Sequence, residues 1–192
     1  MSSVIRLATE ADAPRILEIY APIVRETAIS FEYEVPSEDE MRKRIRSKLE
    51  HHPWLVMERE GMLLGYAYAG RWRDRAAYDW TVETTIYVNS QARRGGVGRR
   101  LYEALFGVLR LQGFVEAVAG ATLPNEGSVG LHRAVGFQDM GVKRNAGYKF
   151  GQWHDVAFFE FSLQAAPAVP VPTRDVASLV GTTEWEQIVG GH

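Results

Sequence analysis

The stretch Arg93-Arg94-Gly95-Gly96-Val97-Gly98 constrains this chain more than any other segment. It follows the β-prone run Thr84-Thr85-Ile86-Tyr87-Val88 and opens a segment with Val97, Leu101, Leu105 and Leu109 at helical spacing. A strand, a glycine turn and a helix in that order predict a helix N-terminus at a sheet edge. The glycines let backbone N–H groups come close to a ligand without side chains in the way. The helix start adds unpaired N–H donors and a partial positive charge, and Arg93, Arg94, Arg99 and Arg100 crowd the same turn. That combination suits a multiply charged phosphate compound. Two familiar phosphate loops do not fit. The nucleotide P-loop requires Lys and then Ser or Thr after its second glycine, and the dinucleotide fingerprint requires glycine where Leu101 stands.

Size and composition narrow the classes. A chain of 192 residues can build one domain with a proper core and a short appendage. Lys and Arg total 22 against 24 Asp and Glu, so no global basic field attracts nucleic acid. No apolar run is long enough to span a membrane. The segment Met1-Ser2-Ser3-Val4-Ile5-Arg6 lacks a signal-peptide core, and a cytoplasmic location is the expectation. Cysteine is absent, which excludes disulfides and a cysteinyl acyl-enzyme.

The periodicities predict an ordered series of elements. Val4 to Leu7 reads as a strand. Thr9 with Asp12 forms a capping box before a helix with Ile16, Ile19, Tyr20 and Ile23 on one face, and Pro22 should kink or end it. Ser37 with Glu40 caps a second helix carrying Met41, Ile45 and Leu49. Trp54 to Glu58 and Leu63 to Ala69 flank a hairpin turn at Glu60-Gly61. After the loop Gly70 to Tyr78 come a strand from Thr81 to Asn89, the glycine turn and a helix to about Gln112. Phe114 to Gly120 reads as a buried strand, Asn125 to Val135 as a short helix, and Phe137 to Tyr148 and Trp153 to Leu163 as final strands. Hairpins combined with one parallel crossover predict an α+β domain over residues 1–163, a mixed central sheet flanked by helices. Residues 164–192 begin with a proline-containing linker and hold Val176, Leu179, Val180, Trp185, Ile188 and Val189. They cannot form a core alone, and read as a loosely docked tail or as a segment packing on a partner subunit.

Read as Q/R-x-x-G-x-G/A, residues Arg93, Gly96 and Gly98 resemble the pyrophosphate loop of the GNAT N-acetyltransferase superfamily. The resemblance implies the GNAT fold over residues 4 to 163, acetyl-CoA as acetyl donor, and a splay between the strand before the loop and the strand after it. Arg94-Gly95 depart from the Gly-Lys of many such loops, though either version supplies N–H groups. Acetyl transfer to an amine needs a neutral nucleophile and a proton for the leaving thiolate, so an acid–base pair should lie near the loop.

Glu83 sits inside the β-prone run upstream; burial would raise its pKa toward that of a base, and a solvent-facing position is the alternative. His132 lies one helical turn after Ser128, as a titratable group or as a satisfied core histidine. Taken together, Tyr78-Asp79-Trp80-Thr81-Val82-Glu83, Leu123-Pro124-Asn125, Ser128-Val129, Leu131-His132, Gly147-Tyr148-Lys149 and Trp153-His154-Asp155-Val156 resemble the phosphinothricin N-acetyltransferase family. That resemblance implies Glu83 and His132 as the catalytic pair and Asn125 with Ser128 beside the pantetheine arm. Backbone groups of Ile86, Tyr87 and Val88 would hold the same arm, and Arg93 to Arg99, with Gly95 and Val97, the pyrophosphate. A glutamate-like acceptor needs cations and an aromatic wall, which Phe31, Trp72, Arg73, Arg75 and Tyr78 could supply. Arg73 and Arg75 would project together if their segment were extended. Lys149 and His154 are weaker candidates for the pocket or for a dimer interface, and a homodimer is the family expectation. His51-His52 belong at a helix end before Pro53, and no cluster has metal-ligand spacing. An acceptor such as a polyamine, an aminoglycoside or a protein N-terminus would call for an acidic pocket instead. A non-catalytic acyl-CoA-binding module would use the same loop without needing Glu83.

Overall fold

The computed structural model describes residues 3–189. Its elements are β1 (Val4–Leu7), α1 (Ala13–Glu26), α2 (Glu38–Leu49), β2 (Trp54–Arg59), β3 (Met62–Arg71), β4 (Thr81–Val88), α3 (Val97–Gln112), β5 (Glu116–Thr122), α4 (Glu126–Ala134), β6 (Gln138–Lys149), β7 (Gln152–Ser162) and α5 (Thr183–Val189). The strands form one seven-stranded sheet in the order β1-β2-β3-β4-β5-β7-β6, with β4 and β5 parallel. This is the mixed α+β architecture expected from the sequence.

Alternation along β2 shows how the sheet is covered. Trp54 and Val56 join α1 and α2 on one face, through Ile16, Ile19, Met41 and Ile45. Leu55 and Met57 join α3 on the other, through Leu101, Leu105 and Leu109. Helices therefore cover both faces of the sheet, and β2 and β3 are apolar on both sides. A β-bulge opposite Met57 and Glu58 inserts Leu64 as an extra residue in β3 and resets its inward positions. Gly65, beside it, lies so close to β4 that a Cβ would stand 2.8 Å from the Tyr87 carbonyl oxygen.

The caps formed as read. Thr9 and Asp12 exchange the two capping-box bonds, and the Ser37 hydroxyl accepts from the Glu40 N–H at 3.2 Å. Pro22 does not end α1. The helix continues to Glu26, because the burial of Ile23 and Val24 rewards another turn despite the missing N–H. β5 begins at Glu116 rather than Phe114, whose N–H instead closes the end of α3 on the Leu109 carbonyl.

The C-terminal segment is not loosely attached. Val176, Leu179, Trp185 and Val189 lie in the core shared with α3, and Ile188 covers Gly107 so closely that a Cβ there would meet it at 2.9 Å. Gln112 fixes the approach by donating from Nε2 to the carbonyls of His51 and Arg174, at 2.7 and 2.6 Å. The Trp80 indole donates to the Val171 carbonyl at 2.7 Å. Composition alone could not reveal this, because the receiving surface is the outer side of a helix far away in sequence. His51 and His52 lie in the turn beneath this strap. His52 stacks on Phe114 at 5.7 Å, and burial with neighbouring cationic groups lowers its pKa from 6.5 to about 4.

Two outcomes follow. Trp185→Ala should cost about 3 kcal/mol in denaturant unfolding, the usual loss for a buried aromatic ring, whereas a loose tail would leave the midpoint unchanged. His52 is neutral both folded and unfolded above pH 6.5. Below that the unfolded chain takes up a proton that the folded chain refuses until about pH 4, so stability falls with pH across this window. Urea titrations at pH 7 and pH 5 should show a smaller loss in His52→Gln than in the parent; equal losses would remove His52 from the account.

Candidate active site

β4 and β5 pair only from Thr81–Thr84 to Glu116–Ala119. Beyond that both strands continue with other neighbours, β4 with β3 as far as Val88 opposite Gly65 and β5 with β7 as far as Thr122 opposite Val156. A wedge-shaped cleft opens between Thr85–Val88 and Gly120–Thr122. The backbone groups that face it on β4 have lost their strand partner, which buried peptide groups seldom tolerate without a substitute. Glu83, Tyr102, Asn125, Ser128 and His132 line this cleft, with Ile29 at its wall.

The glycine turn stands at the carboxyl end of β4. Gly96 caps α3 with φ of +77° and Arg94 has φ of +62°, so two closely spaced residues adopt left-handed geometry. Space beside Gly96 is open, and Arg93, Arg94 and Gly95 are exposed, which suits a charged ligand at a helix start. Val97 turns inward to the core. Three sequence expectations are refined. Gly98 is buried against α4, where a Cβ would meet Leu131 at 2.7 Å, so it serves helix packing. Arg99 bends toward α4 and donates to the Ala134 carbonyl at 3.0 Å. Arg100 donates to the Ser3 hydroxyl at 2.5 Å.

Glu83 is exposed at the cleft, which settles the choice between a buried and a solvent-facing position in favour of the latter. Strand alternation puts it on the α1/α2 face, because its neighbours Val82 and Thr84 point into the α3 core. His132 is fully enclosed. Its ring lies 5.0 Å from that of Phe159 in a parallel stack, and burial lowers its pKa below the usual histidine value, partly offset by its bond to Ser128. Nδ1 is 2.7 Å from the Ser128 carbonyl oxygen, a bond that requires the proton on Nδ1. Nε2 is then an acceptor, and the Tyr102 hydroxyl donates to it at 2.8 Å. Tyr102 also lies beside Thr84 in the cleft wall, and burial raises its pKa. Its position next to Leu101 on a buried helix face gave the sequence no sign of this bond. Asn125 caps α4, with Oδ1 accepting from the Ser128 N–H at 3.1 Å.

The expected acceptor residues do not converge within one chain. The segment with Trp72, Arg73, Arg75 and Tyr78 is a bend ending in a short 3-10 stretch, not the extended segment that would make Arg73 and Arg75 project together. Arg73 lies on the Trp72 ring at 4.4 Å and Trp72 meets Tyr78 edge-on at 5.3 Å; all four are partly or fully exposed. Phe31 is nearer the cleft, on the α1–α2 connection beside Ile29, and covers Gly147 of β6. Lys149 is an internal peg rather than a pocket residue. Its ammonium donates to the carbonyls of Val24, Thr27 and Ser30 at 2.7, 2.9 and 2.7 Å, which fixes the segment that carries Ile29 and Phe31. His154 is buried too, with Nε2 3.0 Å from the Lys149 carbonyl oxygen. Among the described residues no three His, Cys, Asp or Glu side chains gather as a metal site.

A cleft between splayed parallel strands, a glycine-capped helix at its mouth and a carboxylate with a Tyr–His pair along its walls can accept an extended phosphate-bearing ligand and move protons at its inner end. Residues 5–158 match the Acetyltransferase (GNAT) domain family. Phosphinothricin N-acetyltransferase of Streptomyces viridochromogenes is 41% identical over 175 residues, covering 91% of this chain and 95% of that protein. The L-methionine sulfoximine/L-methionine sulfone acetyltransferase of Pseudomonas aeruginosa is 37% identical, covering 88% and 100%. The crystal structure of a phosphinothricin acetyltransferase from Sinorhizobium meliloti in complex with acetyl-CoA aligns with a TM-score of 0.83 at 36% identity, over 89% of this chain and 94% of that one. By sequence over most of its length and by the architecture of its sheet, this chain belongs to the GNAT family of N-acetyltransferases.

Proposed function

We propose that this enzyme transfers the acetyl group of acetyl-CoA to the α-amino group of a small anionic amino acid, with phosphinothricin and methionine sulfoximine or sulfone as representative acceptors. The observation that carries the reading is the cleft, which brings Glu83 and the Tyr102–His132 pair to the unpaired backbone of β4, the strand that leads on to the open helix start at Gly96. The pantetheine arm of acetyl-CoA carries two amides, and laid along Ile86, Tyr87 and Val88 it returns hydrogen bonds to backbone that β5 has abandoned. The N–H groups from Gly95 to Gly98, with Arg93 and Arg94, then face the pyrophosphate. The acceptors in the names of the relatives above, phosphinothricin and methionine sulfoximine or sulfone, support a small amino acid whose side chain ends in a tetrahedral, oxygen-bearing phosphorus or sulfur group.

Transfer is direct, in a complex of enzyme, donor and acceptor. An ammonium has no lone pair, so Glu83 first takes one proton from it, directly or through water. The free amine attacks the thioester carbonyl. The second nitrogen proton passes to the Tyr102 oxygen as the Tyr102 hydroxyl proton moves to His132 Nε2. The reverse movement then protonates the departing thiolate. Burial disfavours the imidazolium, which makes His132 a temporary holder rather than a sink for that proton. Two protons leave nitrogen; one ends on the thiol and one reaches solvent through Glu83. A homodimer is part of the same reading, supported by the edge strand β6, where Met140, Val142 and Tyr148 are exposed alongside Trp153 of β7.

Glu83→Gln should lower kcat/KM for L-phosphinothricin at least about 100-fold in a thiol-release assay, with little change in acetyl-CoA affinity. A retained rate would remove Glu83 as the base; no thiol release from the parent protein would favour a binding module. Gly96→Ala adds a side chain at φ of +77° in open space, so it strains the loop and obstructs the N–H cradle without meeting the core. It should weaken acetyl-CoA binding by calorimetry about ten-fold; an unchanged constant refutes the loop assignment.

A further inference from the structure

The two halves of the sheet, β1 to β4 and β5 to β7, are paired across their seam at four positions, Thr81–Thr84 with Glu116–Ala119. The Thr84 hydroxyl adds a bond to the Val118 carbonyl at 3.2 Å. The last pair, Thr84 and Ala119, bounds the cleft, which encloses about 80 Å³. So small a space suits a two-carbon acyl group, and a longer one has to push the seam apart. The C-terminal strap crosses this seam at its closed end. It leaves β7 on the β5 side, where the Leu163 N–H donates to the Val115 carbonyl at 2.8 Å and Gln164 Nε2 to that of Phe114 at 2.7 Å. It reaches the β4 side at Val171, whose carbonyl accepts from the indole of Trp80, the residue before β4, at 2.7 Å. It then returns to the end of α3. There the Arg174 N–H donates to the Gln112 carbonyl at 2.8 Å, and Gln112 Nε2 to the Arg174 carbonyl at 2.6 Å. Beneath the strap lies a cavity of about 380 Å³ lined by His51, Arg71, Trp80 and Thr173, while Val169 and Val171 stay exposed. Hydrogen bonds rather than buried apolar surface therefore hold this stretch. Gln112 bears the mark of that duty. Its Oε1 is buried with no partner among the described residues, while Nε2 serves the carbonyls of both Arg174 and His51.

We propose that the strap is a tie across the closed end of the cleft, and that Trp80 and Gln112 are positioning residues that act through it to set which acyl group the enzyme accepts. Fraying that starts at Thr84 has to end at Trp80, and the strap holds the seam there. With the ladder shut, the inner end of the cleft admits acetyl. A frayed pair lengthens the cleft and makes room for a longer acyl chain. A donor that fits only the frayed state gains apparent affinity in proportion to that state's population, whereas acetyl-CoA, which fits both, gains nothing. The strap touches no reacting atom, so its effect falls on donor selectivity and not on the proton transfers. This rests on the placement of the donor proposed above.

The experiment reads the ladder and the donor choice separately. Amide hydrogen exchange follows the ladder in the free protein, and thiol release compares butyryl-CoA with acetyl-CoA, with L-phosphinothricin as acceptor. Trp80→Phe keeps an aromatic ring and removes the indole donor. It should speed exchange at Thr81–Thr84 and Glu116–Ala119 about five-fold, the contribution of one neutral hydrogen bond. It should raise kcat/KM for butyryl-CoA relative to acetyl-CoA by the same factor and leave the pH profile with acetyl-CoA as in the parent. Gln112→Met, which removes two donated bonds, should move both readouts the same way and further. Ile16→Val, a core loss in α1, should lower stability while the donor ratio stays at the parent value. A parental donor ratio in Trp80→Phe, parental exchange in its ladder, or an equal rise of the ratio in Ile16→Val overturns the assignment. A parent that releases thiol from neither donor refutes the proposed acceptor instead, and the exchange rates then still decide whether the strap holds the ladder.

Discussion

The parting of β4 from β5 governs the chemistry of this molecule. A continuous sheet would have paired every peptide group of both strands and left no channel to the interior. Ending the ladder at Thr84 and Ala119 keeps the strands rigid, since each retains its outer neighbour, and exposes a short row of peptide groups on β4 to whatever enters. Rigidity matters here because an unpaired backbone stays useful only if it does not collapse onto its former partner. The covered faces of the sheet, with α1 and α2 on one side and α3 on the other, supply that resistance.

The same parting explains why residues on opposite sides of the sheet share one site. Glu83 belongs to the α1/α2 face, while Tyr102 and His132 belong to the α3 face. In an unbroken sheet they would be screened from each other by a layer of backbone. In the proposed reaction the acceptor enters through the gap from the carboxylate side and the donor's reactive end lies toward the buried Tyr–His pair. One group would then handle a proton that must reach water, and the other a proton that must return to the donor. Their contrasting exposure matches those tasks.

Much of this was legible in the chain and some was not. Local rules decided the helix starts: Thr9 and Ser37 announce their caps by residue type and spacing, and the Glu60-Gly61 turn fixes its hairpin. The glycine loop was legible for the same reason, since left-handed backbone and a helix start leave a compositional mark. Long-range packing was not. Gly98 looked like part of the ligand loop, yet its smallness serves Leu131 of α4. Tyr102 reads as one more residue beside an apolar stripe, and only the fold brings its hydroxyl to His132. Lys149 offered a cation near a presumed pocket, but its partners are three carbonyls more than a hundred residues earlier in the chain. The C-terminal segment was misjudged because a sequence does not show which distant helix has a vacant flank.

Lys149 has a mechanical meaning for the enzyme. Its three hydrogen bonds tie the α1–α2 connection, which carries Ile29 and Phe31, to the end of β6, and Phe31 closes the same joint by covering Gly147. One wall of the cleft is thus fastened to the outermost hairpin of the sheet rather than to the strands that part.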